Sequence, residues 1–169
     1  GTWQLTEQFV AAGLQLSNEN AECVVLGFDK TLDYKKLSDA CELIRAGLPF
    51  FATHPDFNCP LENKRMIPDC GAISAAITAA TGKKPLVIGK PHATMLAGIE
   101  ATTPYQRQQM VLVGDRLMTD IQMGNDFEIT TVLVLTGETS VEMVGPETAQ
   151  PDLILKNVFN LLAHLDGCI

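Results

Sequence analysis

Apolar residues recur at helical spacing in some segments and in short unbroken runs in others, and the two patterns alternate along the chain. Leu5, Phe9, Val10 and Ala12 fall at helical spacing and Gly13 follows as a stop, so residues 3–12 predict a helix. Residues 22–28 hold Cys-Val-Val-Leu-Gly, a β-branched run that predicts a buried strand. Leu37, Ala40, Cys41 and Ile44 line one face of a helix over 34–46, closed by Gly47. Residues 49–53 predict the next strand, and 54–69 a long polar loop of the kind that is often functional. A small-residue helix over 70–81 ends at Gly82.

The rhythm continues in the second half. Strands are predicted over 86–89, 110–113, 131–135 and 153–155. Helices are predicted from His92, with Pro91 in its first turn, from about Thr119, and over 157–165. Short apolar strands separated by helices imply an α/β fold with a mostly parallel sheet covered on both faces. Ligands of such sheets gather at the carboxyl ends of the strands. Lys90, Asp115 and Gly137 each lie just past a predicted strand end.

Composition narrows the partners. Among 169 residues, 46% are hydrophobic and 19% charged, as in an ordered globular protein. The formal charge of −8, from 20 acidic against 12 basic residues, argues against a nucleic-acid surface. No apolar run approaches membrane-spanning length and no secretory signal pattern opens the sequence, so a cytoplasmic setting away from membranes is expected. Five cysteines (23, 41, 59, 70 and 168) form no C-x-x-C pair and no metal-ligand spacing; Cys23 and Cys41 are expected to be buried thiols. Met and Phe positions fit core packing. A composition shift at 82–85 (Gly-Lys-Lys-Pro) marks the candidate boundary between two lobes.

Asp115 and Asp120 frame a strand-to-helix turn that Gly114 allows to bend sharply. Two carboxylates there suit a hard dication with oxygen ligands. The same residues also suit a simpler role, Asp115 or Thr119 as a helix cap and Asp120 as a first-turn acid. Lys90, after Gly89, can neutralise phosphate charge or hold a carboxylate; an isolated lysine there would be merely solvated.

In this order the motifs resemble a known family. Ile88-Gly89-Lys90-Pro91, then Val111-Leu112-Val113-Gly114-Asp115-Arg116-Leu117-Met118-Thr119-Asp120-Ile121, then Val134-Leu135-Thr136-Gly137, resemble the haloacid-dehalogenase (HAD) superfamily in its NagD-like, p-nitrophenylphosphatase branch. Val24 to Asp29, Tyr34 with Leu37, and Ala52-Thr53-His54-Pro55-Asp56 resemble that branch's C2-type cap. The resemblance implies a C2-type α/β cap over residues 1–84 and the C-terminal half of a Rossmann-like parallel-sheet core over 85–169. It implies a magnesium-dependent phosphatase acting on a small phosphorylated metabolite through an aspartyl-phosphate. Asp115 would be a Mg2+ ligand, Asp120 would support the metal-site geometry, and Lys90 would steady the nucleophile and the transferring phosphoryl group.

The family's nucleophile, in an Asp-x-Asp-Gly-Thr segment ahead of the cap, has no counterpart at any apolar strand end here. Asp29 mimics it, but Thr31 and Leu32 stand where an acid/base carboxylate and a glycine should follow. The expectation is a chain lacking that N-terminal segment, inactive by itself, and prone to self-association, element exchange or pairing with the missing part, because a parallel core without its first strands exposes an edge. His54, Asp56 and Asn58 are candidates for substrate contact from the cap; a local turn organised by Pro55 is the competing reading. His54 departs from the Asn usual before Pro-Asp. His92 and His164 have no partner constellation. A truncated, non-catalytic ligand- or partner-binding module is the alternative, and a receiver-like domain a weaker one for want of an acceptor aspartate.

Overall fold

The computed structural model describes residues 1–166; Cys168 and the side chain of His164 lie outside that description. The chain divides into two compact units, Gly1–Gly89 and Lys90–Ile169. The division falls later than the composition shift because Leu86 and Val87 pair with the first unit's sheet.

The first unit opens with α1 (Trp3–Ala11), followed by β1 (Val24–Leu26), α2 (Tyr34–Arg45) and β2 (Phe50–Ala52). β3 (Asn58–Pro60), β4 (Met66–Pro68), α3 (Cys70–Thr81) and β5 (Leu86–Val87) complete it. Its parallel sheet has the order β1-β2-β5. Both long helices start and stop on chemistry visible in the sequence. The Asp33 carboxylate accepts from the Lys36 N–H to cap α2, and Asp69 accepts from the Cys70 N–H to cap α3. Gly47 (φ +100°) and Gly82 (φ +71°) then turn the chain in left-handed conformations that L side chains resist. Leu26, Phe50 and Ala52 of the sheet pack on Cys41 and Ile44 of α2 and on Cys70, Ile73 and Ile77 of α3. Sinking Ile44 and Ile77 almost completely stabilises the unit by about 1.5–3 kcal/mol each.

The segment 54–69 is not the structureless loop expected. β3 and β4 pair antiparallel within it, Cys59 opposite Ile67, around a tight turn in which Asn63 adopts φ 59°. With three residues per strand, this hairpin is too short for a periodic signal to show. Its edge is fixed to α3, since the Asp56 carbonyl accepts from the Gly71 N–H at 2.7 Å and the Phe57 carbonyl from the Asp69 N–H at 3.0 Å.

The second unit runs α4 (Ala93–Thr102), β6 (Val111–Gly114), a five-residue π-turn Leu117–Ile121, α5 (Gln122–Phe127), β7 (Thr130–Val134), β8 (Leu153–Leu155) and α6 (Phe159–Asp166). Its strands are parallel in the order β6-β7-β8. Leu96 of α4 packs with Met123 and Ile129, and Leu117 and Ile121 pack on Leu133.

Several expectations need correcting. There are two three-stranded parallel sheets, not one, so the strand ahead of Lys90 belongs to a different sheet from those ahead of Asp115 and Gly137. Pro91 precedes the α4 cap residue His92 and so stands outside the helix. Cys23 is exposed because β1 starts one residue later, whereas Cys41 is buried as expected. Met123 is fully buried, but Met118, Phe57 and Phe159 are exposed, so aromatic and thioether content alone does not mark the core. Among the described residues, no helix is long and apolar enough to cross a membrane.

Candidate functional site

β6 delivers Gly114 and Asp115 to its carboxyl end, and the chain then enters the π-turn. The wider turn carries Asp120 back toward the strand, into the space beside Gly114. A Cβ on Gly114 would collide with the Asp120 carboxylate, so this glycine is required by close approach. Asp120 is buried and its two oxygens are separately engaged. Oδ1 accepts from Lys90 Nζ at 2.6 Å, and Oδ2 from the Arg116 N–H at 3.2 Å. Lys90 thus spends its ammonium on a nearly water-free carboxylate while its own side chain stays 44% exposed.

Asp115 is held differently. The loop after β7 crosses beside it, and the Glu138 N–H donates to Asp115 Oδ2 at 2.8 Å. The Thr139 N–H donates to the Asp115 carbonyl at 3.2 Å. A Cβ at Gly137 would run into the Asp115 carboxylate, so that glycine is also required by contact. Arg116 Nη2 donates to Glu138 Oε1 at 2.6 Å, tying the two loops together by their side chains as well. Among the described residues, the Glu138 N–H is the sole hydrogen-bond donor reaching the Asp115 carboxylate, on Oδ2.

That arrangement fits a hard divalent cation. One oxygen of a half-buried carboxylate is fixed by a backbone donor, and the other keeps its lone pairs for a ligand. Asp120, with one oxygen engaged by Lys90 and the other by the Arg116 N–H, suits a supporting place behind it.

The first unit contains the other predicted residues. His54 Nδ1 hydrogen-bonds Thr53 Oγ1 and His54 Nε2 hydrogen-bonds Asp69 Oδ1, both at 2.8 Å. Donor atoms of His54, Asp56 and Asp69 lie within 4.8 Å of one another. The Asp69 oxygen facing His54 also caps α3, accepting from the Cys70 N–H at 2.6 Å, so Asp69 and His54 already share a structural task. Burial pushes the Cys70 thiol up, away from the reactive thiolate.

Asp29 is tied into a turn. Burial alone would raise its pKa, but the Thr31 hydroxyl, the Lys36 ammonium and the Thr31 N–H bring it down to about 2. Its carboxylate oxygens are occupied by local donors, as in an Asx turn.

Asp69, Arg116 and Glu138 were not singled out from the sequence. An aspartate immediately before a helix was a readable cap signal for Asp69. The Arg116–Glu138 pair, 22 residues apart, had none.

The HAD-hydrolase-like family model matches residues 87–161. Dihydroxyacetone phosphatase of Corynebacterium glutamicum is 34% identical over 97% of this chain and 58% of its own length. The crystal structure of a 4-nitrophenylphosphatase from Thermotoga maritima superposes with a TM-score of 0.90 at 44% identity, over 96% of this chain and 62% of that one. The p-nitrophenyl phosphatase of Archaeoglobus fulgidus gives a TM-score of 0.86 at 27% identity, over 95% and 63%.

The chain belongs to the haloacid-dehalogenase (HAD) superfamily. Within it, these neighbours place the chain in the NagD-like, p-nitrophenylphosphatase branch. The HAD chain described here spans about three fifths of the length of the relatives it matches, between 58% and 63% for these three.

Proposed function

We propose that this chain is part of a magnesium-dependent phosphatase that hydrolyses a small phosphomonoester through an aspartyl-phosphate. The observation that carries the reading is Asp115, with one oxygen fixed by the Glu138 N–H and the other open, next to a loop bearing the Lys90–Asp120 ion pair. In this proposal Asp115 is the metal ligand, and a bound Mg2+ would neutralise phosphate charge. Asp120 holds the Lys90 ammonium in a fixed place, where it can steady the nucleophile and the phosphoryl oxygens. The nucleophilic aspartate is supplied from outside these 169 residues. No Asp-x-Asp stands at an apolar strand end here, and the matched relatives are longer.

The first unit, residues 1–84 with β5, is assigned as the C2-type cap and the rest as the C-terminal part of the core. His54 and Asp56 are its candidates for substrate contact. Both His54 ring nitrogens are engaged, so His54 would act by fixing the 54–57 segment. The name of the Corynebacterium glutamicum relative, dihydroxyacetone phosphatase, supports a substrate the size of a phosphorylated triose.

The test uses the parent reading frame. The complete protein should release phosphate from p-nitrophenyl phosphate with Mg2+, lose that activity with a chelator, and lose it in Asp115→Asn. The 169-residue chain alone should be inert. A parent protein without an Asp-x-Asp-Gly-Thr segment and without turnover would favour the non-catalytic binding module.

A further inference from the structure

We infer that Arg116 and Glu138 form a positioning pair that aims the open oxygen of Asp115 at its cation. The inference rests on the reading of Asp115 as a metal ligand and goes beyond it by assigning two residues that never touch the ion. The loop after β7 has no regular secondary structure, so its own ladder cannot fix where the Glu138 N–H points. Three links fix it instead, all to consecutive residues of the β6 loop: Glu138 N–H to Asp115 Oδ2, Thr139 N–H to the Asp115 carbonyl, and the Arg116–Glu138 ion pair. Thr139 is buried and anchors one side of the loop. Glu138 is exposed, and its side chain is tethered by Arg116, which is only 28% exposed and is held at its own N–H by Asp120.

The chain of contacts therefore runs Lys90, Asp120, the Arg116 backbone, the Arg116 guanidinium, Glu138 and finally Asp115. Without the ion pair, the Glu138 N–H would sample several directions and Asp115 would lose the donor that selects which oxygen is left open. The pair then acts as a metal-site orienter acts, through the ligand and not on the ion.

Mn2+ as a paramagnetic probe tests this on the isotope-labelled 169-residue chain, reading broadening of the amides of 114–116 and 137–139 against metal concentration. Glu138→Gln keeps the backbone N–H and removes the ion pair. It should weaken Mn2+ binding at Asp115 by about three- to tenfold, the low end of orienting effects because the pair is partly exposed. Arg116→Gln should do the same, and the swap Arg116→Glu with Glu138→Arg should recover most of the loss. Glu100→Gln, which breaks the Arg107–Glu100 pair of the same unit, is the control for general loosening and should leave Mn2+ affinity unchanged. Equal affinity in wild type and Glu138→Gln would overturn the inference, as would an equal loss in Glu100→Gln. No broadening near Asp115 in the wild-type chain would instead overturn the metal-ligand reading itself.

Discussion

Replacing Lys90 with methionine should destabilise the second unit by about 2 kcal/mol, and the structure says why. Methionine keeps an unbranched apolar stem and removes only the ammonium. Asp120, whose side chain is 5% exposed, would then keep one donor, the Arg116 N–H at 3.2 Å. Stripping one partner from a fully buried ion pair costs roughly 3–5 kcal/mol. Lys90 is 44% exposed, so water can partly replace the ammonium, which lowers the figure toward that of a charged hydrogen bond, about 1.5–3 kcal/mol. Urea unfolding followed through the amide signals of residues 111–134 reads this unit alone. With a slope of about 2 kcal/mol per M, the midpoint should drop by about 1 M. Asp120→Asn removes the charge that needs the ammonium, so adding it to Lys90→Met should restore part of the loss, giving a coupling of about 1 kcal/mol. A midpoint change below roughly 0.3 M, or strict additivity of the two substitutions, would show that Asp120 is hydrated and does not depend on Lys90.

The first unit offers a parallel test in Gly71→Ala, whose Cβ would collide with the Pro55 carbonyl and lie 2.8 Å from that of Asp56. Neither backbone atom can yield without breaking the Gly71 N–H bond, so a loss of about 2–3 kcal/mol is expected in the same titration read on residues of α3. Gly137→Ala should displace the Asp115 carboxylate and abolish Mn2+ broadening around residues 114–116, while urea stability changes far less. The Asp29 pKa of about 2 lies below its ordinary 3.8, so its contribution is complete above pH 4 and disappears as pH falls toward 2. Between those limits the wild-type chain should lose about 2 kcal/mol more than Asp29→Asn, measured by urea unfolding across pH.

How much of this was legible beforehand depended on whether a feature repeats locally. The helix over 70–81 could be read to its ends because both of its stops, Asp69 and Gly82, are local chemistry. β8 was legible too, since Leu153-Ile154-Leu155 is a short apolar run between polar flanks. The hairpin at 58–68 was not, because its pairing is set by a turn at Asn63 and by backbone bonds to α3, neither of which leaves a periodic trace. At the site, Asp115, Asp120 and Lys90 stood out by position at strand ends and by motif. The way they are held was hidden. That Lys90 meets Asp120, and that Glu138 meets both Arg116 and Asp115, depends on loops from distant parts of the sequence converging.

Those hidden partners change the electrostatic meaning of the site. A lysine and an arginine beside a strand end would, taken alone, make a ready anion pocket. Here each cation already has a carboxylate, Lys90 with Asp120 and Arg116 with Glu138, and Asp115 adds a further negative charge. These five groups, three carboxylates and two cations, sum formally to −1, in a protein whose whole charge is already −8. A phosphate dianion brought to such a cluster meets net repulsion, which a dication on Asp115 would turn to attraction by moving the local charge to +1. On the proposed reading of Asp115 as a metal ligand, anion binding at the second unit's own residues should be conditional on the metal. Phosphate or vanadate should leave the amides of 114–116 and 137–139 unshifted in a chelator and shift them once Mg2+ is present; equal shifts in both conditions would mean that Lys90 or Arg116 leaves its carboxylate to meet the anion unaided.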